Sequence, residues 1–252
     1  MKFARHLLIL ATALLATSSY ADDHSVTEEK IKAAMAADIR TPEEVERDDN
    51  RKPLETLAFF GLRDDMKIVE LMPGGGWYAK ILAPVVAENG EYYMALGTGR
   101  AKETLADQPG FEHVQVVAED AKIFRPEGAS SYVIETSGLG VKDADMVLTF
   151  RNYHNFGADG RAAMNQAAFD ALKSGGIYAV VDHTRRHMEP DNTENRRRID
   201  PVMAIKEIQA AGFVLVDFSD LHHIPDDELR YEVGRKTVTG NSDRWSLKFV
   251  KP

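Results

Sequence analysis

The 252-residue chain contains no cysteine. Its absence excludes a disulfide framework, a thiolate nucleophile, a zinc-thiolate cluster and a lipoprotein attachment site. An excess of basic charge is also missing, since 31 Lys and Arg stand against 40 Asp and Glu for a formal charge of −9. A field of that sign argues against nucleic acid as a partner. Long apolar runs are lacking too. The apolar core of the first segment, Leu7 to Ala16, falls short of the roughly 20 residues that span a bilayer. Internal repeats and low-complexity tracts are absent.

That short core has Lys2 and Arg5 before it and Ser19-Tyr20-Ala21 after it. Basic, apolar and small residues in that order make residues 1–21 a secretory signal, cleaved after Ala21. The expected product is a periplasmic or secreted chain, free of the membrane once cleaved. Loss of Lys2 and Arg5 takes its formal charge from −9 to −11. The remaining 231 residues are enough for one α/β domain with a core that needs no disulfides.

Residues 22–66 read as a helical extension. Ile31, Ala34, Met35 and Ile39 share one side of a helix over 28–40. Thr41-Pro42-Glu43-Glu44 has the N-cap, proline and glutamate of a capping box, and Pro53 opens a helix that Gly61 closes. The mixed-charge run 46–52 between them reads as a solvated face. From 67 to 252 the pattern alternates. Apolar runs at 66–71, 92–96, 114–117, 144–150 and 176–181 predict strands, with helices over 77–88 and 158–172. That alternation calls for a parallel sheet covered on both faces. An amphipathic helix over 199–211, a sixth strand at 213–218 and a last strand at 244–250 complete it. The polar stretch around Pro225-Asp226-Asp227 is longer than a hairpin loop, as a segment covering something would be.

The chain is organised around Val69-Glu70-Leu71-Met72-Pro73-Gly74-Gly75-Gly76-Trp77-Tyr78. A strand runs into three glycines and then a helix, a turn in which ligand atoms can approach the main chain and the helix N-terminus favours an anion. Glu70 sharpens this reading, because an acid there suits an ammonium or hydroxyl and repels a pyrophosphate. The spacing Gly74-x-Gly76-x-x-Ala79 also fits the dinucleotide fingerprint, so a nicotinamide oxidoreductase stands as an alternative.

Glu70-Leu71-x-Pro73-Gly74-x-Gly76 resembles motif I of the class I S-adenosylmethionine-dependent methyltransferases. Leu57 to Leu62, Arg151-Asn152-Tyr153-His154-Asn155, Asp182-His183 and Ser242 to Phe249 extend the likeness to a family of exported bacterial methyltransferase-like proteins. It covers about residues 40 to 252. The resemblance implies a Rossmann-like, doubly wound seven-stranded sheet, mostly parallel, whose last strand returns antiparallel beside the fifth. It implies S-adenosylmethionine as cofactor, its amino-acid end at Glu70, Pro73, Gly74, Gly75 and Gly76, and Asp120 as acceptor from the adenine amine. It also places Arg47 and Asp48 near the ligand.

The sequence departs from that family at the end of strand two, where no carboxylate stands to take the ribose hydroxyls. Thr98 is the replacement, worth roughly 1 kcal/mol against about 1.5 to 3 for a charged acceptor. In open α/β sheets ligands meet the carboxyl ends of the strands. His154 and Asn152 follow strand four, and Asp182 and His183 follow strand five. His154 is the candidate base, as an imidazole with an ordinary pKa of about 6.5 takes a proton near neutral pH. Asn152 is placed to orient a small-molecule acceptor, and Asp182 or His183 to fix the tautomer. His154, Asn152 and Asn155 as caps of the next helix form the alternative. His183, His187, His222 and His223 complete no recognised ligand pattern, so no metal is expected. Arg185, Arg186 and Arg196 to Arg198 read as a solvated loop. The functional readings are methyl transfer to an unidentified small acceptor and, alternatively, a nucleoside-binding protein that keeps the fold without transfer.

Overall fold

The computed structural model describes residues 25–252; the expected signal lies outside them. Seven strands form one sheet: β1 (Lys67–Leu71), β2 (Glu91–Ala95), β3 (Gln115–Val117), β6 (Ala144–Phe150), β7 (Leu172–His183), β8 (Val214–Ser219) and β9 (Arg244–Val250). Their order is β3-β2-β1-β6-β7-β9-β8. All neighbours pair in parallel except β9, which runs antiparallel between β7 and β8. This is the expected doubly wound α/β sheet. Two short strands, β4 (Lys122–Phe124) and β5 (Val133–Glu135), form a separate antiparallel ribbon that the apolar pattern does not reveal.

The central strands are buried on both faces, as crossover helices require. Four of the five residues of β1 are buried, and six of the seven of β6. One core packs α4 (Pro53–Phe60) and α5 (Ala79–Val86) on the first face; the other packs α7 (Ala158–Ala171) and α8 (Pro201–Ala210) on the second. Helix α1 (25–35), short of the expected end at 40, supplies Ile31 and Ala34 to the first core, and α6 (Gly99–Leu105) adds Ala101 and Leu105. The capping box is present on α2 (Pro42–Val45), and Gly61 ends α4 at φ 80°.

Other boundaries move for local reasons. Trp77 and Tyr78 belong to the turn, so α5 starts at Ala79. Strand β7 begins at Leu172, opposite Ala144 of β6, and the register then jumps to Ile177 opposite Met146, so the polar residues 173–176 bulge out of that pairing; a Cβ on Gly176 would meet the Ala144 carbonyl at 3.0 Å. Asp200 caps α8 through the Val202 N–H. The run 46–52 is solvated as expected except at Arg51. It contains a helical turn, α3 (Asp48–Arg51), whose Arg51 is only 4% exposed. In the arginine loop Arg186, Arg196 and Arg197 are solvated, but Arg198 and Asp227 form a buried pair at 2.9 Å and the buried Arg185 holds Asp191 at 3.0 Å.

The first crossover runs from β1 toward β3 and the next returns to β6, so strand order reverses between β1 and β6. That is where a crevice opens in such sheets. Four of the five parallel strands end in a left-handed residue: Met72 after β1, Leu96 after β2, Ala118 after β3 and Arg151 after β6. Non-glycine residues hold that conformation at a cost of about 1 kcal/mol or more each, usually where a site demands it.

Candidate functional site

A cavity of about 370 Å³ lies at the reversal point, within the roughly 300 to 1,000 Å³ of small-molecule sites. Strand β1 contributes Glu70 and the turn Met72 to Gly75, β6 contributes Phe150 to Asn152, His154 and Asn155, and β7 contributes His183. The sequence therefore brings Glu70, Pro73, Gly74, Gly75, Asn152, His154 and His183 together. Gly76, Thr98 and Asp120 stay outside the lining. Gly76 sits at φ 85° with its α-carbon toward Leu105, so it shapes the turn without facing the cavity. Asp120 is exposed and accepts from the Ser137 hydroxyl at 3.1 Å.

Glu70 is 3% exposed and accepts from the Tyr92 hydroxyl at 2.5 Å. Burial raises its pKa to about 7, against the opposing pull of the Tyr92 bond and the Arg51 charge. Glu70 is thus a carboxyl that ionises on meeting a cation.

Asp182, wholly buried, accepts from His154 Nδ1 at 2.5 Å, from the His154 main-chain N–H at 2.9 Å and from its neighbour's N–H at 2.6 Å. A carboxylate at Nδ1 makes that nitrogen the donor and leaves Nε2 as the acceptor. The His183 ring lies 5.6 Å from that of His154, and its Nδ1 meets Ser242 Oγ at 2.9 Å. Burial first, then the His154 and Arg151 charges, hold His183 far below the usual imidazole range, so it stays neutral. Asn152 donates to the carbonyls of Met72 and Phe150, both at 3.1 Å, tying β6 to the glycine turn. Helix α7 is capped by Gly157 with no side-chain bond, so Asn152, His154 and Asn155 are not its caps.

The N-terminal helices supply what the strand ends do not. Arg47, Arg51 and Glu44 line the same cavity. Trp77 docks them to the turn: its Nε1 donates to the Glu44 carbonyl at 3.0 Å, and the Arg51 guanidinium lies 4.1 Å from its ring centre. Tyr78 stacks on Phe150 with ring centres 3.6 Å apart. Asp48 turns away to Arg40 at 2.5 Å. The late loop also reaches the rim with Val233, and His222 clasps α3 by bonding Thr56 Oγ1, the Arg51 carbonyl and Ser246. Arg51 escaped the sequence reading because a four-residue helix carries no periodicity; the only hint was a tryptophan directly after the glycines.

By sequence, no family model and no curated protein matches the chain. Solved structures match its fold. A SAM-dependent methyltransferase from Aquifex aeolicus aligns over 89% of this chain and 98% of its own at 15% identity and a TM-score of 0.56. The [4+2]-cyclase SpnF aligns over 81% and 80% at 15% identity and 0.54. The glycopeptide N-methyltransferase MtfA, complexed with sinefungin, aligns over 80% and 93% at 14% identity and 0.51. The chain therefore has the Rossmann-like fold of SAM-dependent methyltransferases. A cyclase among its neighbours shows that this fold alone does not choose the chemistry.

Proposed function

We propose that the protein binds S-adenosylmethionine at the β1–β6 crevice and transfers its methyl group to a small acceptor. One observation carries the reading: a carboxylate-oriented imidazole, Asp182–His154, faces the same cavity as Glu70 and the glycine turn. The residues fit the cofactor's amino-acid end, with Glu70 for the ammonium and Arg51, buried without a carboxylate, for the carboxyl group. When bound, the cofactor supplies an electrophilic methyl carbon on a sulfonium, whose carbon–sulfur electron pair leaves with sulfur.

The chain's own part is positioning and proton transfer. His154 Nε2 takes the proton that an acceptor oxygen or nitrogen sheds, and Asp182 holds the tautomer and stabilises the imidazolium. The uncommitted Asn152 carbonyl oxygen is free to accept from the incoming hydroxyl or amine. We further propose that residues 22–66 cover the site and 67–252 carry it, in a chain exported by the 1–21 signal and acting in the periplasm or outside the cell.

Calorimetric titration of the chain from Asp22 with S-adenosylmethionine, S-adenosylhomocysteine and NAD tests the reading. Binding of the first two with no response to NAD supports it. NAD binding alone, or no binding of any of the three, overturns it; binding without turnover over a broad acceptor panel leaves a nucleoside-binding protein.

A further inference from the structure

The chain is acidic overall, yet its cavity is not. Arg47, Arg51, Arg100 and Arg151 line it, and none of them has a carboxylate within ion-pair distance among the described residues. Arg244, 5% exposed, sits behind them, bonded only to the carbonyls of Asn50 and Gly240. Glu44, a cavity acid, is engaged by Lys80 at 2.7 Å. Arg51 is 4% exposed, its Nε has no partner, and its contacts are the faces of Trp77 and Tyr78.

Of these arginines, Arg51 and Arg244 are buried and Arg151 half-buried, whereas Arg47 and Arg100 reach solvent; buried guanidiniums without acceptors are costly, and like charges gathered on one cavity repel. Folded chains relieve this with carboxylates, as this one does at Arg40, Arg161 and Arg198. Leaving the cavity cluster unrelieved makes sense where a ligand brings the anion. S-Adenosylmethionine is not sufficient. It carries an ammonium and a sulfonium against one carboxylate, so even with Glu70 ionised its binding leaves the site as positive as before.

We propose that the methyl acceptor is an anion, a small molecule bearing a carboxylate or phosphate group, held by Arg151 and Arg47 beside His154. The arginines serve as its handle, and the methylated oxygen or nitrogen lies elsewhere on the same molecule. The planar fork of a guanidinium matches either group in two parallel bonds. Arg151 is three residues before His154 and is fixed by its left-handed backbone and by its N–H bond to the Val181 carbonyl at 2.7 Å, so an anion on it lies next to the base. Calling this anion the acceptor rests on the methyl-transfer reading; the anion site itself does not.

Calorimetry and thermal unfolding of the wild-type chain from Asp22 in low-salt buffer, with inorganic phosphate and malonate as separate probes, test the site. At least one probe is expected to bind and raise Tm, and which one does so separates phosphate from carboxylate acceptors. Arg151→Gln and Arg47→Gln should each weaken that binding about tenfold or more, whereas Arg125→Gln, on the distant ribbon, should not. No heat and no Tm shift with either probe overturns the proposal, as does equal binding in all three variants. S-Adenosylhomocysteine is titrated in parallel: its binding without anion binding sinks this inference alone, and anion binding without it sinks the cofactor reading alone.

Discussion

Glu70→Gln is the most informative single substitution, because the structure sets both its sign and its size. An unfolded glutamate loses its proton near 4.5, whereas folded Glu70 keeps it up to about 7. Between those values the native state binds more protons than the unfolded state, so this group removes stability as pH rises through the window and is neutral in effect below it. At about 1.4 kcal/mol per pH unit the displacement is worth about 3 kcal/mol, and burial at 3% exposure means solvent screens little of it. Gln has no charge to bury, and its carbonyl still accepts from Tyr92. The stability difference between Gln and wild type should therefore grow in favour of Gln by about 3 kcal/mol from about pH 4.5 to about pH 8. Paired urea-unfolding series across that range measure it, with every other titrating group cancelling in the difference. A difference that stays flat across the range refutes the reasoning. It would mean that Glu70 already ionises at an ordinary pKa through partners the burial argument ignores.

His154→Gln should lower methyl transfer by about 10² to 10⁴ with Tm nearly intact, since Asp182 keeps both main-chain donors; steady-state kinetics with a true acceptor and a melting scan decide it. Asp227→Asn leaves Arg198 buried without its carboxylate and should cost about 3 to 5 kcal/mol, read by urea unfolding, with faster proteolysis of the 220–243 loop. His222 is held down to about 4, mainly by burial, so its contribution is fully present above the unfolded value of 6.5 and is lost as pH falls toward 4. The loss is about 3 kcal/mol, opposite in sign to that of Glu70, and His222→Gln should abolish that part of the acid slope.

The sheet was legible because its strands are apolar runs bounded by glycine and by helices of the right period, and a parallel sheet buries both faces of such runs. Strand β8 is the weakest case, half exposed at the sheet edge with Val216 and Phe218 facing out. The ribbon β4–β5 was not legible because strands of three residues show no alternation. The strand-end rule puts Glu70, His154 and His183 on one cavity, with Asp182 behind His154, since topology alone brings β1, β6 and β7 together. Thr98 and Asp120 follow β2 and β3 and stay outside that lining. The rule could not reach Arg51, or Arg47, which only the family resemblance named. Their place depends on how α3 docks on Trp77 and on the clasp of His222, tertiary contacts that no local pattern encodes.

Those contacts bear on why the free site is built as it is. Arg51, at about 8, is still protonated near neutral pH and buried without an acceptor, while Glu70 has its charge suppressed by the same burial. The Arg51 charge pulls the Glu70 pKa down only in part, and the two form no ion pair. An α-amino acid group answers both at once, its carboxylate going to the guanidinium and its ammonium to the carboxyl as that group ionises. On the proposed reading, binding of such a group releases a proton from Glu70 below about pH 7. The cost of burying the Arg51 charge without an acceptor, and its relief by a carboxylate, is free energy available to select a zwitterion over a nucleoside that lacks the amino-acid end.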